Sequence, residues 1–275
     1  MTQNKLPICS VSGGKDSTAT YCLMVEFLGN NFLPIFADTG NEHPVTVNYV
    51  RNLHIMAGGP EVVIVKADFT DKLNRKGVEP SNNPFLDMMM WKGRAPSTKA
   101  QFCTEWVKLW PILLHLQEHY PTHEWEMFTG LRAAESQGRM NRYYAQGPFQ
   151  ENSYFDCEYI LPFLYETSEG VIDFLKEKDV PMNPLYALGY GRVGCFPCIH
   201  ANKTELSLIP EWAWEKLAYW ESKLGRSWFP AGILPGKQKG HIPKIPEVKE
   251  WCKTSWGGCS TIYSSKIIHQ MPLPA

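Results

Sequence analysis

The apolar and polar positions change period several times along the first half of the chain. Residues 6–11 form a short apolar run ending in a glycine-containing loop, and residues 18–28 then carry Tyr21, Leu23, Met24, Phe27 and Leu28 at helical spacing. Residues 32–37 are a second apolar run, cut off at Asp38-Thr39-Gly40, and residues 44–56 are a helical stretch closed by Gly58-Gly59. Residues 61–65 and 125–129 predict a third and a fourth strand, the fourth stopped by Gly130. Strands alternating with helices predict an α/β fold: a mostly parallel sheet with helices on both faces. Ligands of such sheets sit beyond the carboxyl ends of the strands, which is where 12–17, 38–40 and 129–130 fall.

The remainder is less periodic. Asn74, Gly77, Pro80, Asn82, Asn83, Pro84, Gly93 and Pro96 break up residues 70–100, which read as a long loop over the site with a short helix near 85–91. Residues 170–178 read as a helix, 205–224 as a tryptophan-rich helical stretch, and 225–249 as loop. There is no repeat and no low-complexity segment.

Charge and cysteine content narrow the chemistry. The net charge is −1 with no long basic run, so any grip on nucleic acid has to come from a local patch. No secretory leader pattern and no membrane-length apolar stretch occur, so a cytoplasmic location is expected and the eight cysteines are expected to be reduced. Clustered cysteines then read as metal ligands or redox groups.

Ser12-Gly13-Gly14-Lys15-Asp16-Ser17, at a strand-to-helix junction, is suited to pyrophosphate. Two glycines let the backbone approach an anion, the loop amides and the helix N-terminus point at negative charge, and Lys15 adds a cation. The Walker A spacing is absent. Among the cysteines, Gly194-Cys195-Phe196-Pro197-Cys198 is a C-x2-C knuckle able to aim two thiolates at one metal. Cys103 stands at an expected helix start, Cys259 follows Gly257-Gly258, and Cys252 lies seven residues before Cys259. Cys9, Cys22 and Cys157 sit in apolar patterns and read as small buried hydrophobes. Trp212, Trp214, Trp220 and Trp228 read either as core or as a surface for stacking bases.

The loop resembles the PP-loop of the adenine nucleotide alpha-hydrolase-like superfamily. More narrowly, residues 6–200 resemble the phosphoadenosine phosphosulfate (PAPS) reductase family and its DndC-like sulfurtransferase relatives. The resemblance is carried by the loop, Asp38-Thr39-Gly40, Phe102-Cys103-Thr104 with Lys108, Gly130-Leu131-Arg132 with Glu135, Ser136 and Arg139, and the stretch from Leu161-Pro162 to Pro184-Leu185-Tyr186. It implies a PP-loop nucleotide-binding domain over 1–200 and a helical and loop extension over 201–275 that completes a metal site. It implies that Ser12 to Ser17 hold the phosphates of ATP or PAPS with Mg²⁺, and that Asp38, Thr39 and Gly40 lie near adenosine. It places Lys108, Gly130, Arg132 and Arg139 beside anionic groups, with Lys15, Asp16 and Arg132 catalytic. It also implies a [4Fe–4S] cluster on Cys103, Cys195, Cys198 and a fourth cysteine, Cys259 ahead of Cys252. Zinc on the same thiolates is the alternative, which spacing does not separate from iron.

Two departures bear on function. The reductases' C-terminal Glu-Cys-Gly motif is poorly matched at Gly258-Cys259, and Cys103 stands alone where cluster-bearing reductases carry adjacent cysteines. The leading expectation is therefore an ATP-dependent, AMP-forming sulfurtransferase with a sulfur donor such as a cysteine desulfurase. The acceptor is a small molecule or a nucleic acid. The runner-up is a PAPS or APS reductase served by a thioredoxin-like reductant, with Cys259 or Cys252 as nucleophile. A non-catalytic zinc-stapled nucleotide-binding module is the third reading.

Overall fold

The structure is a computed structural model that describes residues 5–238 and 240–255. The chain begins β1 (Lys5–Val11), α1 (Lys15–Leu28), β2 (Leu33–Ala37), α2 (Pro44–Ala57) and β3 (Val63–Val65), as the pattern predicts. Two short helices follow, α3 (Thr70–Asn74) and α4 (Pro84–Lys92). A helical run then passes through α5 (Phe102–Thr104), a π-helical turn (Glu105–Leu109) and α6 (Trp110–His119). Next come β4 (Glu124–Thr129), α7 (Gln137–Tyr143), β5 (Phe149–Asn152), β6 (Cys157–Ile160) and α8 (Ser168–Glu177). The described chain closes with α9 (Lys203–Leu208), α10 (Glu211–Leu224) and α11 (Ile245–Cys252).

The six strands form one sheet in the order β3-β2-β1-β4-β6-β5, parallel except for β5. Every residue of β2 is buried, which fits a central parallel strand covered on both faces. Ile8 of β1 registers with Leu33 of β2 on one side and with Met127 of β4 on the other. The β5–β6 hairpin was not visible in the apolar pattern, because its residues are half-buried or exposed and carry no strict apolar alternation.

Residues 70–100 are more ordered than their breakers suggest. Asn83 caps α4 by accepting from the Leu86 amide, Pro84 occupies the first turn, and Gly93 ends the helix at φ 68°. The breakers therefore sit at the helix boundaries, where they favour a helix instead of opposing one. The stretch 205–224 divides at Ile209-Pro210 into α9 and α10 because proline cannot continue a helix. Residues 225–249, read as loop, contain the start of α11, which carries a proline in its first turn.

Four apolar clusters among the described residues hold these layers together, the smallest formed by Ala133, Leu161 and Leu164. One lies between the sheet and α1, α2 and α8, and a second lies under α6 on the other face. The largest joins Phe69, Phe85, Met88 and Val107 to Leu206, Trp214, Leu217, Trp220, Trp228 and Val248. Trp214, Trp220 and Trp228 are thus core residues. Of the four tryptophans considered for stacking only Trp212 is exposed, and it packs near His43 and Phe196. No helix among the described residues is long and apolar enough to cross a membrane.

Candidate functional site

The loop between β1 and α1 is built tightly. Ser17 Oγ accepts from the Ser12 amide at 3.1 Å, lies 3.0 Å from Ser12 Oγ, and donates to the Gly14 carbonyl at 3.0 Å. Gly13 adopts φ +74°, and a Cβ there would lie 2.7 Å from Thr46 Cγ2. Gly130, at the end of β4, packs still closer: its Cβ would lie 2.3 Å from the Asp16 carbonyl carbon and 2.5 Å from the Ser17 nitrogen. The glycines at 13 and 130 are therefore demanded by the loop's proximity to α2 and β4. The amides of Gly13, Gly14, Asp16 and Ser17 have no hydrogen-bond acceptor among the described residues. Together with the N-terminus of α1 they form a nest suited to an oxyanion.

Two cations flank that nest and share one carboxylate. Lys15 Nζ donates to Asp16 at 2.8 Å, and Arg132 Nε donates to Asp16 Oδ1 at 2.5 Å. Lys15 and Arg132 are 8% and 5% exposed, and both are ion-paired with the one Asp16 carboxylate, while Glu135 adds a further negative charge acting on Lys15. Burial lowers the Lys15 pKa, while Asp16 pulls it back up. A bound phosphate would add negative charge beside both cations. Arg139 is ion-paired with Glu135 on the neighbouring α7 segment.

The segment after β2 has its own network. Asp38 pairs with Lys66 at 2.9 Å and accepts from the Gly40 amide at 3.0 Å. Gly40 has φ +76°, and a Cβ there would meet Asn83 and Pro84 at 2.9 Å. Thr39 donates through its amide and its hydroxyl to Glu42, at 3.0 and 2.7 Å. Glu42 is bridged to Cys195 as an isolated antiparallel β pair, and Cys195 Sγ lies 3.8 Å from Thr39 Oγ1. The C-x2-C knuckle is thereby fastened to the β2 end of the sheet. Asn41 strengthens the joint: its carbonyl accepts from the Phe196 amide at 2.5 Å, and its Nδ2 donates to the Pro197 carbonyl. Lys216 of α10 completes it, donating to Asn41 Oδ1 at 2.7 Å and to the Phe196 carbonyl at 2.6 Å.

Cys103, Cys195 and Cys198 gather around Lys108, which belongs to the π-helical turn. The pKa of Lys108 is pushed up, first by Cys195 and then, against desolvation, by Glu42, Cys198 and Cys103. Burial pushes the Cys195 thiol up to about 12 and also raises Cys103, in each case opposed by the Lys108 ammonium. Lys108, Arg192, Cys195, Cys198 and Glu205 line a partly open cleft of about 100 Å³. Among the described residues no three Cys, His, Asp or Glu side chains lie close enough to hold one metal ion. Thiolate donors of this kind suit a soft metal or an iron–sulfur centre, but Cys103, Cys195 and Cys198 do not converge on a common point here. Cys259, the expected fourth ligand, lies outside the described residues. Cys252 is buried in α11 with its thiol pushed up to about 11, and Cys9 and Cys22 are core residues.

Phosphate loop and knuckle adjoin each other. A Cβ on Gly14 would lie 3.4 Å from both the Val193 carbonyl and the Tyr186 hydroxyl. Asn183, just before, donates to the Gly13 carbonyl at 3.1 Å.

Residues 6–201 match the phosphoadenosine phosphosulfate reductase domain. The chain belongs to that family. It is 34% identical over 315 aligned positions to a 37.8 kDa protein from the gpa 5′ region of Escherichia phage 186, covering 93% of this chain and 90% of that one. It is 26% identical to an adenosine 5′-phosphosulfate reductase of Chelativorans sp., over 71% of this chain and 70% of that enzyme. Against a Methanocaldococcus jannaschii protein, MJ0066, it is 27% identical over 83% of its own length but spans only 45% of the relative. The family member described here thus carries the PP-loop nucleotide-binding scaffold of sulfonucleotide reductases.

Lys66, Glu42, Asn41, Asn183, Tyr186 and Lys216 were not among the sequence-predicted site residues. Asn183 precedes Pro184, a capping signal visible in the sequence, but nothing in one dimension shows that its side chain reaches the phosphate loop.

Proposed function

We propose that this protein is an ATP-dependent, AMP-forming sulfurtransferase. The observation that carries the proposal is the adjacency of an anion nest, bearing two buried cations, to a knuckle whose thiols face Lys108. Lys15, Arg132 and the free loop amides are assigned to the phosphates, with Mg²⁺ neutralising the remaining charge. Asp38 and Thr39 are assigned to the nucleoside end. An oxygen of the acceptor attacks the α-phosphorus of ATP and pyrophosphate leaves; a sulfur nucleophile then attacks the activated acceptor atom and AMP leaves with the electron pair. Lys15 and Arg132 oppose the charge that builds on the phosphate oxygens during the first displacement.

Cys103, Cys195 and Cys198 are assigned as ligands of an iron–sulfur centre, with Cys259 as the fourth candidate and zinc as the alternative metal. When bound, such a centre would supply a site for activating sulfur. The thiols must lose their protons to bind metal, and Lys108 favours that loss. A sulfur donor of the cysteine desulfurase type and a cytoplasmic setting belong to the same reading.

A sulfonucleotide reductase is the second reading, favoured by the named reductase relative. It requires an activated thiolate at Cys259, which lies outside the described residues, or at Cys252, whose thiol burial pushes up to about 11. ATP–pyrophosphate exchange combined with anaerobic iron and sulfide analysis separates the readings. Exchange with stoichiometric iron and sulfide is expected. Release of sulfite from PAPS or APS with a thiol reductant, and no exchange, would establish the reductase. Zinc with neither activity would leave a nucleotide-binding module.

A further inference from the structure

Of the amides that open α1, that of Lys15 is already engaged: it donates to the Tyr186 hydroxyl at 3.0 Å. The turn bearing Tyr186 is fixed to the loop independently, through Asn183 Nδ2 to the Gly13 carbonyl at 3.1 Å and to Thr46 Oγ1 at 3.3 Å. Asn183 Oδ1 also caps the turn by accepting from the Leu185 amide. The hydroxyl therefore sits over Gly14 by construction, at the 3.4 Å approach already noted. A phenol oxygen that accepts one hydrogen bond still has its own hydrogen to give. That hydrogen has no acceptor among the described residues. Burial pushes the phenol pKa up, so the group stays protonated and remains a donor.

We propose that Tyr186 is a phosphate-binding residue: its hydroxyl takes the Lys15 N–H and directs its own hydrogen to a phosphate oxygen of the bound nucleotide. The first amide of α1 then acts on the anion through the phenol, and the nest gains a side-chain donor beside the Gly14 amide. The inference rests on the reading of the loop as a nucleotide-phosphate site. It does not depend on which reaction follows.

The geometry admits an opposite role, in which Tyr186 occupies the place of a phosphate oxygen and must be displaced. The two roles predict opposite signs for Tyr186→Phe. Calorimetric titrations with inorganic pyrophosphate, ATP and adenosine test them on the wild type, Tyr186→Phe and Lys15→Ala. As a donor, Tyr186→Phe should weaken pyrophosphate and ATP by about 10-fold or more, the usual cost of a hydrogen bond to a charged group. Adenosine affinity should stay unchanged. A purely structural role would weaken all three ligands alike and lower the melting temperature of the free protein. Unchanged or tighter pyrophosphate binding by Tyr186→Phe would overturn the assignment while leaving the loop reading intact. If the wild type binds neither pyrophosphate nor ATP, the loop reading falls and this inference with it. If Tyr186→Phe behaves as expected but ATP is never cleaved to AMP, only the proposed reaction fails.

Discussion

At the residue scale, the decisive group is Asp16, the single carboxylate between Lys15 and Arg132. Its removal leaves two buried cations facing each other. Breaking a buried pair in this way costs about 3–5 kcal/mol, and the cost should fall at or below that range because Asp16 is 20% exposed. Asp16→Ala is therefore expected to melt earlier than the wild type and to gain more from added pyrophosphate, since the anion restores the missing charge. Equal pyrophosphate-induced melting shifts in both proteins would contradict this. Lys15→Ala should keep the fold and bind ATP about 10- to 100-fold more weakly, as measured by calorimetry. Unchanged affinity would remove the phosphate assignment.

Lys216 gives a pH signature at the same scale. Burial lowers its pKa to about 8, below its ordinary 10.5. The unfolded chain therefore binds the proton more tightly than the folded one between those values, so this group's contribution to stability rises with pH across that window. Below about pH 8 the folded protein holds a desolvated ammonium at full cost, partly offset by its two hydrogen bonds and by the rings of Trp212 and Trp220. The stability of the wild type relative to Lys216→Met should increase from pH 8 to pH 10 in denaturant titrations. A flat difference would show that Lys216 titrates normally.

At the scale of elements, the end of β4 is wedged against the start of α1. Gly130→Ala places a methyl group 2.3 to 2.5 Å from the backbone of Asp16 and Ser17, which no side-chain rotation relieves. Overpacking of this kind costs about 1–3 kcal/mol. The damage should appear first in function, because the atoms that must shift belong to the anion nest. Gly130→Ala is expected to lose pyrophosphate binding at temperatures where its circular dichroism is still native. Retained affinity would mean that β4 yields instead of the loop. The glycine was legible in the sequence as a strand stop, but not as a contact with residues more than a hundred positions away. The breakers of residues 70–100 carry the converse lesson. Asn83, Pro84 and Gly93 bound α4 instead of preventing it, because their effect depends on whether they fall at a helix end or within it.

At the scale of the molecule, the segment beyond the family match is part of the core. Leu206, Trp214, Leu217, Trp220 and Val248 are buried against Phe69, Phe85, Met88 and Val107, and Lys216 is tied to the knuckle. A chain ending at residue 201 would expose that apolar surface and lose both Lys216 bonds. It is expected to bind a hydrophobic dye strongly and to lack a cooperative melt. A cooperative melt with intact nucleotide binding would show that the residues after 201 are dispensable.

The sequence alone was enough for the order of strands and helices up to residue 65 and for the phosphate loop. Those features are local: an apolar period, a pair of glycines and a lysine at a junction carry their meaning within a dozen positions. The cysteines offered as metal ligands, Cys103, Cys195 and Cys198, all act on the charge of Lys108, but among the described residues no three such side chains lie close enough to hold one metal ion. Only the tertiary structure decided what each charge faces. That Asp16 is shared with Arg132, that Glu42 and Asn41 fasten the knuckle, and that Tyr186 takes the Lys15 amide all depend on residues 116 to 171 positions apart. No periodicity encodes such pairs, because a hydrogen bond is set by where the packed layers bring two side chains together and not by their spacing along the chain.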